Sequence, residues 1–182
     1  MTQLLALCGS LRRHSLNRTA LQAVERLSDE RFSLQWARLA ALPLFNPDLE
    51  NDLPEAVSHL LAQLQAADGL VIASPEYAHG ISGVLKNALD WMVSSPAFYQ
   101  KPVLMINTSP RAHHALDSTR EILITMSANI IDDACVELAL LGKSGGKLDD
   151  VSVPSESLAL LDDAVEKFLA ALAELEEGMS PD

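Results

Sequence analysis

Cysteine, positive charge and long apolar runs are all scarce in this chain of 182 residues, and each scarcity removes a class of function. The two cysteines, Cys8 and Cys135, have no C-x-x-C spacing, so neither a zinc site nor a disulfide framework is suggested and each reads as a small buried hydrophobe. Acids outnumber bases 25 to 13, a net charge of −12, which argues against a nucleic-acid surface and against an anionic membrane as partners. No window approaches the roughly 20 apolar residues that cross a bilayer, and the N-terminus shows no basic region followed by an apolar stretch and cleavage site. A cytoplasmic location is therefore expected. Two phosphate motifs are also missing: there is no G-x-x-x-x-G-K-[ST], and no G-x-G-x-x-G follows any apolar run.

What is present is 48% hydrophobic residues, enough for one sizeable core. A single domain over residues 1–177 is expected, with 178–182 a flexible tail. The organising stretch is Leu4 to Leu21, LLALCGSLRRHSLNRTAL. The apolar run Leu4 to Cys8 breaks at Gly9 into small and basic residues, and a helical pattern resumes with Leu16, Ala20, Leu21 and Val24. Strand, loop and helix in that order direct helix amides and a positive dipole end at the crevice beyond the strand, a place suited to an anion. Ser10, Ser15, Asn17 and Thr19 offer neutral hydrogen bonds, and Arg12 and Arg13 offer a planar charged fork. The plainer alternative is a βα turn in which Ser15 or Asn17 only caps the helix and the arginines are solvated.

Alternation continues along the chain. Phe32 to Leu39 predicts a second strand, Leu42 to Leu53 a long loop, and Pro54 to about Ala67 a helix. GLVIA at Gly69 to Ala73 and PVLMINT at Pro102 to Thr108 are apolar on both faces, as central parallel strands are. Helices are expected over Val84 to Ser94, Ala115 to Met126 and Ser155 to Glu177, with a further strand over Ala134 to Leu141. The acids of the last helix read as a solvated face. The expected fold is α/β, a doubly wound five-stranded parallel sheet flanked by helices, with its active crevice at the carboxyl ends of the strands.

Three loops could converge there: Gly9 to Asn17, Ser74 to Gly83 and Ser109 to His114. Cys8 invites comparison with a phosphatase thiolate, but Arg12 and Arg13 come too early for that phosphate ring and His14 occupies the required place. GSLRRHSLN, SPEYAHGISGVLKNALDW and, between them, LPLFNPDLE together resemble the NADPH-dependent FMN reductase family, over roughly the first 125 residues.

That resemblance implies a flavodoxin-like three-layer fold. It also implies non-covalent FMN and NAD(P)H as co-substrate, with two-step hydride transfer to a small acceptor such as a quinone, free flavin, azo compound or chromate. Phosphate-binding roles fall on Ser10, Arg12, Ser15 and Asn17. The loop contacting the flavin ring falls on Pro75, Glu76, Tyr77 and Gly80, with Ser109 near the ring's other side. The flavin carries the chemistry, so no catalytic side chain and no metal are expected. Glu76 reads either as a general base or as a residue whose backbone, not carboxylate, matters, the second being favoured, and Tyr77 either stacks near the ring or packs on a neighbouring subunit. Lys86, Asn87 and Asp90 read as structural. A homodimer or homotetramer is implied as well.

Two departures from the family pattern stand out: Ser82 replaces a usual proline, and Pro110 to His114 replaces a glycine-rich turn. Arg111 could clamp an NADPH phosphate or be a plain surface arginine, and His113 and His114 read as polar groups rather than metal ligands. Two other functions suit the same sequence: an electron carrier that does not use NAD(P)H, and a binding module that has lost FMN.

Overall fold

The continuous apolar runs become neighbouring parallel strands. The computed structural model describes residues 1–109, 113–140 and 153–178. In chain order the elements are β1 (Thr2–Cys8), α1 (Leu16–Arg26), β2 (Phe32–Trp36), α2 (Glu55–Ala66), β3 (Gly69–Ala73), β4 (Glu76–Tyr77), β5 (Gly80–Ile81) and α3 (Gly83–Met92). They continue with β6 (Pro102–Asn107), α4 (His113–Thr125), β7 (Asn129–Ile130), β8 (Val136–Glu137) and α5 (Ser155–Gly178). The main sheet runs β2-β1-β3-β6-β7, with β8 also paired to β6, and every pairing in it is parallel. Leu4 lies opposite Gly69 and Leu70 opposite Val103, so β1, β3 and β6 end on one common edge.

Strand alternation divides the core into two layers. Leu4, Ala6, Val71, Leu104 and Ile106 face α1 and α5; Leu5, Leu7, Leu70, Ile72, Val103 and Met105 face α2, α3 and α4. The sheet is thus covered on both faces, which is why its central strands are apolar throughout. Gly69 has a packing reason: a Cβ there would stand 2.7 Å from the Phe168 ring of α5. Phe168 fills that space and is fully buried.

Several boundaries differ from the sequence reading. The second strand stops at Trp36, and the chain turns as a 3-10 helix over Leu39–Ala41. The long loop after it is ordered: Pro47–Leu49 forms another 3-10 turn, Asn87 accepts a hydrogen bond from the Phe45 amide, and the Trp91 indole donates to the Pro43 carbonyl at 2.8 Å. The sheet's fifth position is split. A 3-10 turn at Asp132–Ala134 separates β7, paired to the start of β6, from β8, paired to its end, giving six strands in five positions. Leu141 and the tail from Met179 lie outside the described residues. Among the described residues no helix is long and apolar enough to cross a membrane.

Removing the ring in Phe168→Ala is expected to cost about 3–5 kcal/mol, because the cavity lies against a backbone that cannot close over it. Urea unfolding measures this, and a loss below about 1 kcal/mol would contradict the packing.

Candidate functional site

The site grows out of the shared carboxyl edge of β1, β3 and β6. Beyond Cys8 the Gly9 N–H still donates to the Ala73 carbonyl at 2.9 Å, extending the ladder by one residue. A Cβ on Gly9 would lie 2.2 Å from Ser74 Oγ and 2.8 Å from Ser82 Oγ, so only glycine lets the first loop close on the second. Ser74 Oγ donates to Ser82 Oγ at 3.2 Å, and Ser82 Oγ caps α3 by accepting from the Leu85 N–H. Serine at position 82, one of the departures from the family pattern, therefore supplies a cap that proline could not.

The third loop is tied to the first across 91 positions of sequence. Thr108 Oγ1 donates to Asn17 Oδ1 at 3.0 Å, and both residues are buried. Asn107 Oδ1 accepts from the Ser109 N–H, while its amide donates to Glu137 of β8. The three loops surround a cleft of about 340 Å³, within the usual range of small-molecule sites. One wall is Ser10, Arg12, His14, Ser15, Leu16 and Asn17; a second is Ser74, Pro75, Glu76 and Tyr77; the third is Asn107, Thr108 and Ser109.

Of the nine residues singled out from sequence, eight line this cleft: Ser10, Arg12, Ser15, Asn17, Pro75, Glu76, Tyr77 and Ser109. Gly80 does not line it. The segment Ser74 to Gly83, read as an open loop, contains a hairpin in which β4 and β5 are antiparallel, and Gly80 pairs with Tyr77 on the return strand. His14, Leu16, Ser74, Asn107 and Thr108 also line the cleft and were not singled out, although Ser74, Asn107 and Thr108 are polar residues at or just past the end of an apolar run. Pro110, Arg111 and Ala112 lie outside the described residues, and His113 and His114 begin α4.

The two ends of the cleft differ chemically. At the α1 end, Ser15 caps the helix by accepting from the Arg18 N–H, and the first turn carries no acid. A helix start has several amides without intrahelical partners, and Ser15 takes only one. With Arg12 beside it, that end suits an external anion. Ser10, a buried residue, turns its hydroxyl to the Arg12 N–H at 3.4 Å, shaping the loop. At the other end Pro75 and Tyr77 offer apolar surface and backbone groups for a flat ring. The donor set therefore fits a phosphate-bearing planar cofactor.

Thiolate chemistry does not fit. Burial raises the Cys8 thiol above its ordinary value, outweighing the lowering by its bond to the Ser10 carbonyl and by Arg18. Among the described residues no three His, Cys, Asp or Glu are grouped to hold a metal ion. A second concavity of about 350 Å³, lined by Arg38, His59 and Gln63 among others, lies between α2 and the turn after β2. It has no part of the loops after β1, β3 and β6.

Gly9→Ala is expected to destabilise the protein by about 1–3 kcal/mol through overpacking against Ser74 and Ser82. Because the two closest atoms belong to Ser74, the double variant Gly9→Ala/Ser74→Gly should recover part of the loss. Urea unfolding of the three proteins measures both effects, and a neutral Gly9→Ala would contradict the close approach.

Known proteins resemble this chain in sequence and in fold. A 2-hydroxy-1,4-benzoquinone reductase of Burkholderia sp is 41% identical over 105 residues, 56% of this chain and 57% of that protein. The quinone reductase of Escherichia coli strain K12 is 30% identical over 141 residues, 71% of this chain and 73% of its own. The chain spans 56% to 60% of the length of three curated relatives, the Burkholderia protein among them. In structure it is similar to FerB, a flavoenzyme NAD(P)H:(acceptor) oxidoreductase of Paracoccus denitrificans. The TM-score is 0.82 at 25% identity, covering 96% of this chain and 98% of that one. The sequence model of NADPH-dependent FMN reductases matches residues 2–139, from β1 through β8, and so takes in all three walls of the cleft. On that match the chain belongs to the NADPH-dependent FMN reductase family.

Proposed function

We propose that this protein is an FMN-dependent NAD(P)H oxidoreductase that reduces a small acceptor, a quinone being the best supported. The observation that carries the reading is the cleft at the β1/β3 switch point, with an anion-suited helix start at one end and an apolar backbone wall at the other. Bound there, FMN supplies the ring that exchanges a hydride with NAD(P)H and passes reducing equivalents to the acceptor.

The chain's own residues bind and orient. Arg12, the Ser15 hydroxyl and the α1 amides would hold the phosphate. Asn17 Oδ1 accepts from Thr108, which orients the side-chain amide and would leave its N–H groups to donate to the phosphate. Pro75 to Tyr77 on one side and Asn107 to Ser109 on the other would hold the ring and exclude water from its covered face. A quinone is favoured among acceptors because two relatives, over much of their length or a shorter stretch, carry quinone reductase names.

We infer a homodimer or dimer of dimers as well. Large apolar side chains stand exposed on the single chain, among them Leu44 at 84%, Val93 at 54% and Tyr77 at 51%, the last on the cleft. Nicotinamide cofactors are soluble reductants of the cytoplasm, which supports a cytoplasmic location.

Arg12→Ala removes a charged donor to the phosphate and is expected to weaken FMN about tenfold or more in a fluorescence titration. The FMN-loaded wild type should oxidise NADPH steadily when a quinone is present. Unchanged FMN affinity in the variant would overturn the phosphate assignment, and absence of NADPH oxidation would favour an electron carrier.

A further inference from the structure

The β4–β5 hairpin forms part of the cleft wall and is held in a conformation its sequence does not favour. Its two turn residues, Ala78 and His79, have φ of 50° and 59°. Tight hairpins of this kind ordinarily place Asn-Gly there, since L side chains reach the left-handed region only at a cost. Something outside the hairpin must stabilise it.

Two contacts with α4 do so. Glu76 Oε2 accepts a hydrogen bond from the Ala115 N–H at 3.0 Å. Ala115 is buried in the first turn of α4, where amides lack intrahelical partners and negative charge is favoured by the dipole. That turn contains no acid of its own, so the cap comes from a residue 39 positions earlier. Beside it, the His79 ring stacks on the His114 ring with centroids 4.4 Å apart and planes 26° apart.

We infer that Glu76 is a positioning residue: its carboxylate fastens the hairpin to the start of α4 and thereby sets the cleft wall from Pro75 to Tyr77, with the His79–His114 stack as a second tie. The inference rests on the reading of the cleft as the FMN site. Glu76 Oε2 is engaged by α4, so Glu76 acts on a bound ring through placement of the backbone.

The test compares full-length wild type, Glu76→Gln and Glu76→Ala. It measures amide hydrogen exchange over residues 75–81 and 113–117 without flavin, and FMN affinity by titration. In Glu76→Ala exchange should accelerate in both segments, and FMN should bind about tenfold more weakly. Glu76→Gln keeps an acceptor oxygen at the same reach and should stay within about twofold of wild type in affinity. His79→Ala, which breaks no hydrogen bond among the described residues, should accelerate exchange in the same two segments to a lesser degree. If Glu76→Ala does not fold, unchanged exchange in His79→Ala would overturn the tie of the hairpin to α4.

Unchanged exchange in Glu76→Ala, or a Glu76→Gln as impaired as the alanine variant, would overturn the tie. Accelerated exchange with unchanged FMN affinity would overturn the positioning role. A wild type that takes up no FMN would overturn the cleft reading and with it that role, while the exchange data alone would still decide whether Glu76 joins the hairpin to α4.

Discussion

The absence of a side chain at Gly9 is the constraint on which the rest of the site depends. Parallel strands bring the loops after β1, β3 and β6 to one edge, but adjacency alone does not make a cleft. Gly9 lets the backbone after β1 lie against Ser74 and Ser82, and Ser82 in turn caps the start of α3. The helices that border the cleft, α1 and α3, are each capped by a serine, Ser15 and Ser82. The buried Asn17–Thr108 bond then closes the third side. An error of an ångström at Gly9 would be passed to all three walls.

A chain with a net charge of −12 is an unexpected host for a phosphate dianion, and distance resolves the difficulty. Exposed charges are screened over about 8 Å at physiological ionic strength, so a ligand in the cleft answers to the groups it touches. Those at the α1 end are Arg12, the Ser15 hydroxyl and helix amides, with no acid in the helix's first turn. The acids are concentrated elsewhere, many on the outer face of α5, where Asp162 and Glu166 pair with Arg31 and Asp163 with Lys167. Net charge here governs solubility and partner choice, while local geometry governs the site.

Much of this was legible in the sequence, for reasons that differ from element to element. GLVIA and PVLMIN are strands buried on both faces, and no other arrangement buries such runs so simply. The helices followed from spacing, and eight cleft residues followed from motifs at strand ends. What could not be read depends on distant partners. Asn107 and Thr108 gain their roles from Glu137 and Asn17, far along the chain. The hairpin was hidden because Ala78-His79 lacks the Asn-Gly signature, its turn being held by contacts with α4. The split fifth strand was likewise concealed, since Asp132 and Asp133 interrupt an otherwise apolar segment.

The central claim is that the three-loop cleft, and not the groove between α2 and the turn after β2, receives FMN. Titrating isotope-labelled protein with FMN while following backbone amide shifts tests it most directly. The account predicts the largest changes at Ser10 to Asn17, at Ser74 and Glu76 to Tyr77, and at Asn107 to Ser109. Changes centred instead on Arg38, His59 and Gln63, or none at all, would contradict it.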